Sequence, residues 1–206
     1  GEMVLCGSEE AARLGELRGL TAVGPIRASA SALAAGDEIL CLDGDAASLH
    51  LVWKTAQTLM EYLSGIATRT AEIVAAARRG HSEASVVCTR KNFPGTKAAA
   101  IKAVFSGGAS PHRLSLSETL LFFPEHRAFL RDEAPCATIV RLRQLWPERA
   151  VVVEVDSESE ARRWIDAGAD ILQLEKMPVD TLRQIAAHAA ASRQVTKIAA
   201  AGGIDV

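Results

Sequence analysis

Aromatic residues are scarce in this 206-residue chain: five Phe, three Trp and one Tyr make up 4% of it. Apolar residues still reach 49%. Alanine supplies much of that share, which suits a helix-rich α/β protein. No apolar run reaches the ~18 residues of a membrane span and no signal peptide opens the chain, so a cytoplasmic protein away from membranes is expected. Cysteine is sparse and unpatterned. Cys6, Cys41, Cys88 and Cys136 show no C-x-x-C spacing, so they read as reduced thiols rather than a disulfide frame or zinc site. An excess of either charge is missing too. Lys+Arg 23 against Asp+Glu 25 leaves a net charge of -2, which argues against a nucleic-acid or general polyanion binder. His50, His81 and His188 lack ligand spacing. The "PGTK" segment is no Walker A loop, because G-x-x-x-x-G-K-[ST] is absent.

What is present is a repeat of strand and helix signals. Residues 1–49 differ from the rest, with Gly-Asp and Gly-Pro punctuation and short apolar pieces such as "EILCL". They predict short strands and turns of a small N-terminal α/β domain whose beginning is expected to precede Gly1. From His50 the pattern turns helical, with Leu51, Thr55, Leu59 and Tyr62 at helical spacing and a second helix expected after Gly65. Next, "SVVCTR", "ETLLFF", "AVVVEVD", "DILQLE" and "VTKIAAAGGI" read as strands, separated by helical segments. Strands alternating with helices mean βαβ units and a parallel sheet, assigned to residues 50–206. Near-continuous apolar strands fit a sheet covered on both faces. Ser157 with Glu160 three residues on has capping-box spacing, and Gly168 closes that helix.

The polar groups fall at the strand ends. "VVCTR" ends on Arg90 and Lys91, "VVVEV" carries Glu154, "ILQLE" ends on Glu175, and "KIAAAGG" ends on Gly202 and Gly203. Both a parallel barrel and an open doubly wound sheet place ligands at such tips. Glu154 and Glu175 suit Mg²⁺ completed by water and substrate oxygens. Arg90, Lys91 and Arg113 suit carboxylates or phosphates. A Gly-Gly turn lets backbone N–H groups approach a phosphate. Together these parts suit a phosphorylated, metal-bound sugar and an anionic co-substrate. Each also has a bland reading. Arg90-Lys91 and His112-Arg113 are by default solvated, Lys54 a surface lysine, Glu175 a helix cap, and Gly202-Gly203 a tight bend. Glu154 on an apolar strand is the exception, since a buried carboxylate needs a partner.

"TRKNFPGTKAAAIKAVFSGGASPHRLSLSETLLFF", "LSGIAT", "VEVDSESEARRWIDAGADILQLE" and "AAAGGI" occur in this order. They resemble the quinolinate phosphoribosyltransferase (nicotinate-nucleotide pyrophosphorylase) family over roughly residues 36–206. "VWKTAQTLMEYLSGIAT" and "FFPEHRAF" are similar to a subfamily of pyrophosphorylases encoded with molybdate transporters. The resemblance implies a type II phosphoribosyltransferase fold: an N-terminal α/β sandwich and an incomplete α/β barrel, in a homodimer with shared active sites. Against the family pattern, the start of the sandwich and the last barrel segments are missing.

The resemblance also implies roles. Arg90 and Arg113 would bind the acid's carboxylate, with Lys91 and His112 between the acid and the phosphoribosyl group. Glu154 and Glu175 would hold ribose hydroxyls and Mg²⁺, and Ala201, Gly202 and Gly203 would meet a phosphate. Four positions depart from the pattern. Lys54 stands where the family has an Arg from the neighbouring subunit, and loses the guanidinium fork. Phe123 replaces the Lys of K-D-N-H, of which His126 alone is retained. Glu175 replaces Asp, and Ala201 replaces Ser. The implied reaction is transfer of phosphoribose from phosphoribosyl pyrophosphate to the ring nitrogen of a small aromatic or heteroaromatic acid. The lost cation argues against quinolinate itself. An alternative is a molybdate- or phosphate-binding protein on a decayed scaffold.

Overall fold

The computed structural model describes residues 2–116, 118–130 and 133–205. They form two compact units, one up to His112 and the other Arg113–Asp205. Among the described residues no helix is long and apolar enough to cross a membrane.

The first unit runs β1 (Met3–Val4), α1 (Ser8–Glu16), β2 (Thr21–Ala22), β3 (Ala32–Leu33), β4 (Leu42–Asp43), α2 (Ala46–Gly80), β5 (Val87–Cys88), α3 (Lys97–Ser106) and β6 (Ser110–Pro111). Among the described residues its strands pair in twos: β1 with β3 and β2 with β4 antiparallel, β5 with β6 parallel. The organising element is α2, 35 residues long. Asp45 starts it by accepting the Ser48 N–H at 2.9 Å, which satisfies one orphan donor of the first turn. Its buried stripe is Val52, Ala56, Leu63, Ser64, Ala67, Thr70 and Val74. Ser64 and Thr68 on this helix accept the Cys6 and Val4 N–H groups, both at 2.9 Å. Helix hydroxyls thereby satisfy a short edge strand that lacks a full ladder.

Four expectations change here. The helix runs through Gly65 without a break, because tertiary packing of its stripe outweighs the glycine's cost of about 1 kcal/mol. Leu51 and Tyr62 lie outside the stripe and are exposed. Helix α1 forms where only strands and turns were expected. "SVVC" yields a strand of two residues whose Val87 is 46% exposed, not a buried one, since β6 is its sole partner among the described residues.

The second unit runs β7 (Leu120–Phe122), α4 (Pro124–Arg127), α5 (Pro135–Leu145), β8 (Val151–Val155), α6 (Glu158–Ala167), β9 (Ile171–Glu175), α7 (Val179–Ala191) and β10 (Lys197–Ala201). Its sheet is wholly parallel in the order β10-β9-β8-β7. Each strand lies beside its predecessor. The winding never reverses, as in a barrel, whereas a doubly wound sheet needs a switch point. Val151, Val153, Val155, Leu172 and Leu174 pack with Ile139, Ala161, Trp164, Ile165 and Ile185 from the helices. Ser157 Oγ accepts the Glu160 N–H at 3.4 Å, the N-cap half of the expected box, while the Glu160 carboxylate goes to Arg127 instead, and Gly168 adopts φ 91° at the end of α6.

Candidate active site at the strand tips

Strand alternation decides which side chains share a face. In the second unit the valines and leucines above take the helix side. Glu154, Gln173 and Glu175 therefore take the opposite face. The register sets Glu154 beside Gln173, and Glu175 beside Ala201. The Gln173 amide Nε2 donates to the Glu154 carboxylate. The two acids predicted from sequence are thus on one face of neighbouring strands, close to their C-terminal ends.

Past β9 the backbone turns sharply. Lys176 takes φ 51°, a left-handed conformation that costs a non-glycine residue about 1–2 kcal/mol. Its N–H donates to Ala201 O at 2.7 Å, and its Nζ lies 3.6 Å from Glu175 Oε1. Gly202 has φ 75°. A Cβ there would land on Glu175 Oε1 and 2.7 Å from Lys176 Cγ. The left-handed backbone calls for glycine, and a Cβ there would also push the Glu175 carboxylate aside. Gly203 follows at φ 67° with open space around it.

The tip of β7 carries an aromatic cluster. Phe123 N–H donates to His126 Nδ1 at 3.0 Å, which leaves the proton of the neutral ring on Nε2. The His126 ring stacks on Phe122 at 6.0 Å and 6°, and lies 5.4 Å from Phe123. Arg127 fastens this cluster to the acid strand. Its side chain is 14% exposed, and its guanidinium donates to Glu154 O at 2.7 Å and pairs with Glu160 at 2.9 Å. It also lies 5.8 Å from the Trp164 ring. Glu160 therefore spends its carboxylate on Arg127. Arg113 begins this unit and is half-buried.

In the first unit Arg90 and Lys91 are exposed just beyond β5. His112 follows β6 and donates its N–H to Cys88 O at 2.8 Å, so Arg90 and His112 leave the same end of two adjacent strands. Burial raises the Cys88 thiol above its ordinary value, which keeps it from acting as a thiolate nucleophile. Lys54 is exposed on α2, with Nζ 4.4 Å over its neighbour's indole at Trp53 and 3.0 Å from Gln57 Oε1. Gln173, Arg127 and Lys176 were passed over in the sequence. The periodicity that put Glu154 and Gln173 on alternate strand positions was there to read, but their pairing depends on inter-strand register.

Residues 66–206 match the family model described as quinolinate phosphoribosyl transferase, C-terminal domain, and residues 1–64 match its N-terminal domain. The chain belongs to the quinolinate phosphoribosyl transferase family. It is 43% identical over 204 residues to a protein of Rhodobacter capsulatus named as a pyrophosphorylase, ModD, covering 99% of this chain and 78% of that one. A ModD protein of Pasteurella multocida is 38% identical over 174 residues, covering 83% of this chain and 61% of that relative. The chain thus spans less than two thirds of the Pasteurella relative. Among solved structures, NadC from Streptococcus pyogenes superposes with TM-score 0.86 at 30% identity, covering 99% of this chain and 70% of that one. The type II phosphoribosyltransferase fold and the ModD-like subfamily are both borne out, and the family is one of pentosyltransferases.

Proposed function

We propose that the protein moves phosphoribose from phosphoribosyl pyrophosphate to the ring nitrogen of an aromatic or heteroaromatic acid with one carboxylate, and not to quinolinate. The observation that carries this reading is the pair of carboxylates, Glu154 and Glu175, on one face at adjacent strand tips, with Gly202 fitted against Glu175. In the transfer, the bond from ribose C1 to the pyrophosphate oxygen breaks and its electron pair leaves with pyrophosphate. The acceptor's ring nitrogen supplies the pair for the new bond. Positive charge builds on the ribose, so fixed negative charge nearby lowers the barrier, and no side-chain nucleophile is needed. Glu154 and Glu175 accept hydrogen bonds from ribose hydroxyls and offset that charge. Gln173 and Arg127 hold Glu154 by its carboxylate and its own carbonyl. In the roles the family pattern gives them, Arg90 and Arg113 would take the acid's carboxylate, and Lys91 and His112 would lie between the acid and the phosphoribosyl group.

Phe123 and His126 favour a flat, singly charged acceptor. Where the family pattern has a Lys, a half-buried ring stands against an imidazole. A second carboxylate there would lose its counter-ion, and an unpaired buried charge costs on the order of 3–5 kcal/mol.

Glu154 and Glu175 also fit Mg²⁺. They offer hard oxygens, and no cluster of three acids, His or Cys is found among the described residues. That donor set suits an ion completed by waters and substrate phosphates. When bound, Mg²⁺ would neutralise charge on the departing pyrophosphate. Leu51, Trp53 and Tyr62 are 65%, 51% and 55% exposed on α2 around Lys54, which supports a homodimer with Lys54 serving the partner's site.

The test is pyrophosphate release from phosphoribosyl pyrophosphate with a panel of ring mono- and dicarboxylates. Release with a monocarboxylate and little with quinolinate is expected. No release with any acid overturns the proposal.

A further inference from the structure

Lysine is a costly occupant for the left-handed turn after β9, where Gly or Asn would sit without strain. The backbone there does not call for it, because any residue other than proline would donate the same N–H to Ala201 O at 2.7 Å. Its ion pair does not call for it either. The Lys176 side chain is 74% exposed and Glu175 Oε1 lies 3.6 Å away, a geometry that contributes little to stability. Strain retained without structural benefit points to a ligand.

The side chain's position says which ligand. Lys176 Cγ lies where a Cβ on Gly202 would sit 2.7 Å away, so the aliphatic stem passes against Gly202 and leaves Gly203 uncovered. Both glycines are left-handed, at φ 75° and 67°, and Gly203 faces open space. The turn therefore offers backbone at Gly203, with an exposed ammonium group on the side chain that passes Gly202. We propose that Lys176 is a phosphate-binding residue, closing on a phosphate group that enters over Gly202-Gly203. The weak, exposed pairing with Glu175 leaves the ammonium available to a phosphate at the turn. This rests on the phosphoribosyl-transfer reading above and adds a residue to it. The chemistry recognised is a phosphomonoester or diphosphate oxygen.

Calorimetry on the wild type, Lys176→Asn and Lys176→Arg tests it, with ribose 5-phosphate and inorganic pyrophosphate as separate probes. Asn tolerates the left-handed backbone, so K176N removes the charge while keeping or raising the melting temperature. The expected result is that K176N weakens one probe about tenfold or more, the size of one lost charge-assisted hydrogen bond. K176R should restore most of that affinity. Loss confined to ribose 5-phosphate assigns the sugar-phosphate end, and loss confined to pyrophosphate assigns the leaving group. Equal binding of both probes by wild type and K176N overturns the role of Lys176 and leaves the transferase reading standing. A wild type that binds neither probe, nor phosphoribosyl pyrophosphate, overturns both.

Discussion

The two units equip their strand tips in opposite ways. The second sets carboxylates on five-residue strands, and Val151, Val153 and Val155 of β8 are fully buried. The first sets Arg90, Lys91 and His112 beyond strands of two residues, with Val87 nearly half exposed. The acids inherit their position from a packed sheet, and Glu154 is held further by Gln173 and Arg127. Among the described residues of their own unit, the cations follow only the two-stranded pair β5 and β6. A geometry that must resist like-charge repulsion needs rigid support, whereas exposed cations can be drawn into place by an anion they bind.

The comparison breaks most visibly in the sheet. Leu172→Ala should cost about 2–5 kcal/mol in a denaturant titration, as fully buried leucines do. Val87→Ala should change stability by no more than about 0.5 kcal/mol. Equal effects would erase the distinction between the units. Next comes Gly202→Ala, whose methyl collides with Glu175. Displacing that carboxylate by an ångström or so should lower kcat/KM about 100-fold, while the fold, read by circular dichroism, is retained. Arg127→Met removes the link between the aromatic cluster and Glu154 O, and should cost about 1–3 kcal/mol. Its KM for the acid acceptor should rise as Phe123 and His126 shift.

The smallest effect is a pH dependence in the first unit. Burial opposes ionisation of Glu9, but hydrogen bonds from Lys102 and Ser29 outweigh it and hold the carboxyl at about 2, below its ordinary 4.5. A group depressed in the folded state stabilises above its unfolded value. This contribution is therefore complete above about pH 4.5 and lost as the pH falls toward 2. Lys102→Met should flatten that acid limb in urea midpoints measured from pH 6 to 2.5. An unchanged limb would assign the acid sensitivity elsewhere.

The second unit was legible because its signals are local and repeated. Apolar runs, Ser157 and Gly168 fix strands and caps within a few residues of themselves. Helix α1 was not legible, since its buried residues are Ser8, Ala11, Ala12 and Gly15, too small to write an apolar stripe. On α2 the larger side chains Leu51 and Tyr62 drew the stripe to the wrong face, while the buried stripe uses smaller ones such as Ala56 and Ala67. At the site, the acids and the Gly202 turn could be named from sequence because charged and glycine residues stand out at apolar strand ends. Gln173 acquires its role only through register opposite Glu154, Arg127 through a neighbouring strand's carbonyl, and Lys176 through a backbone angle that no residue type announces.

Gly107 sits buried at the end of α3, where an added Cβ would strike the Ala67 carbonyl and lie 2.5 Å from Thr70 Cβ. Its φ of -82° is ordinary, so the constraint is one of room alone. Two main chains nearly touch there, and neither can retreat by trimming a side chain. A saturation library at this codon should return a single viable letter, even though alanine is elsewhere the commonest neighbour along these helices. Anyone grafting new acceptor specificity onto this scaffold should leave that seam alone and vary the rim.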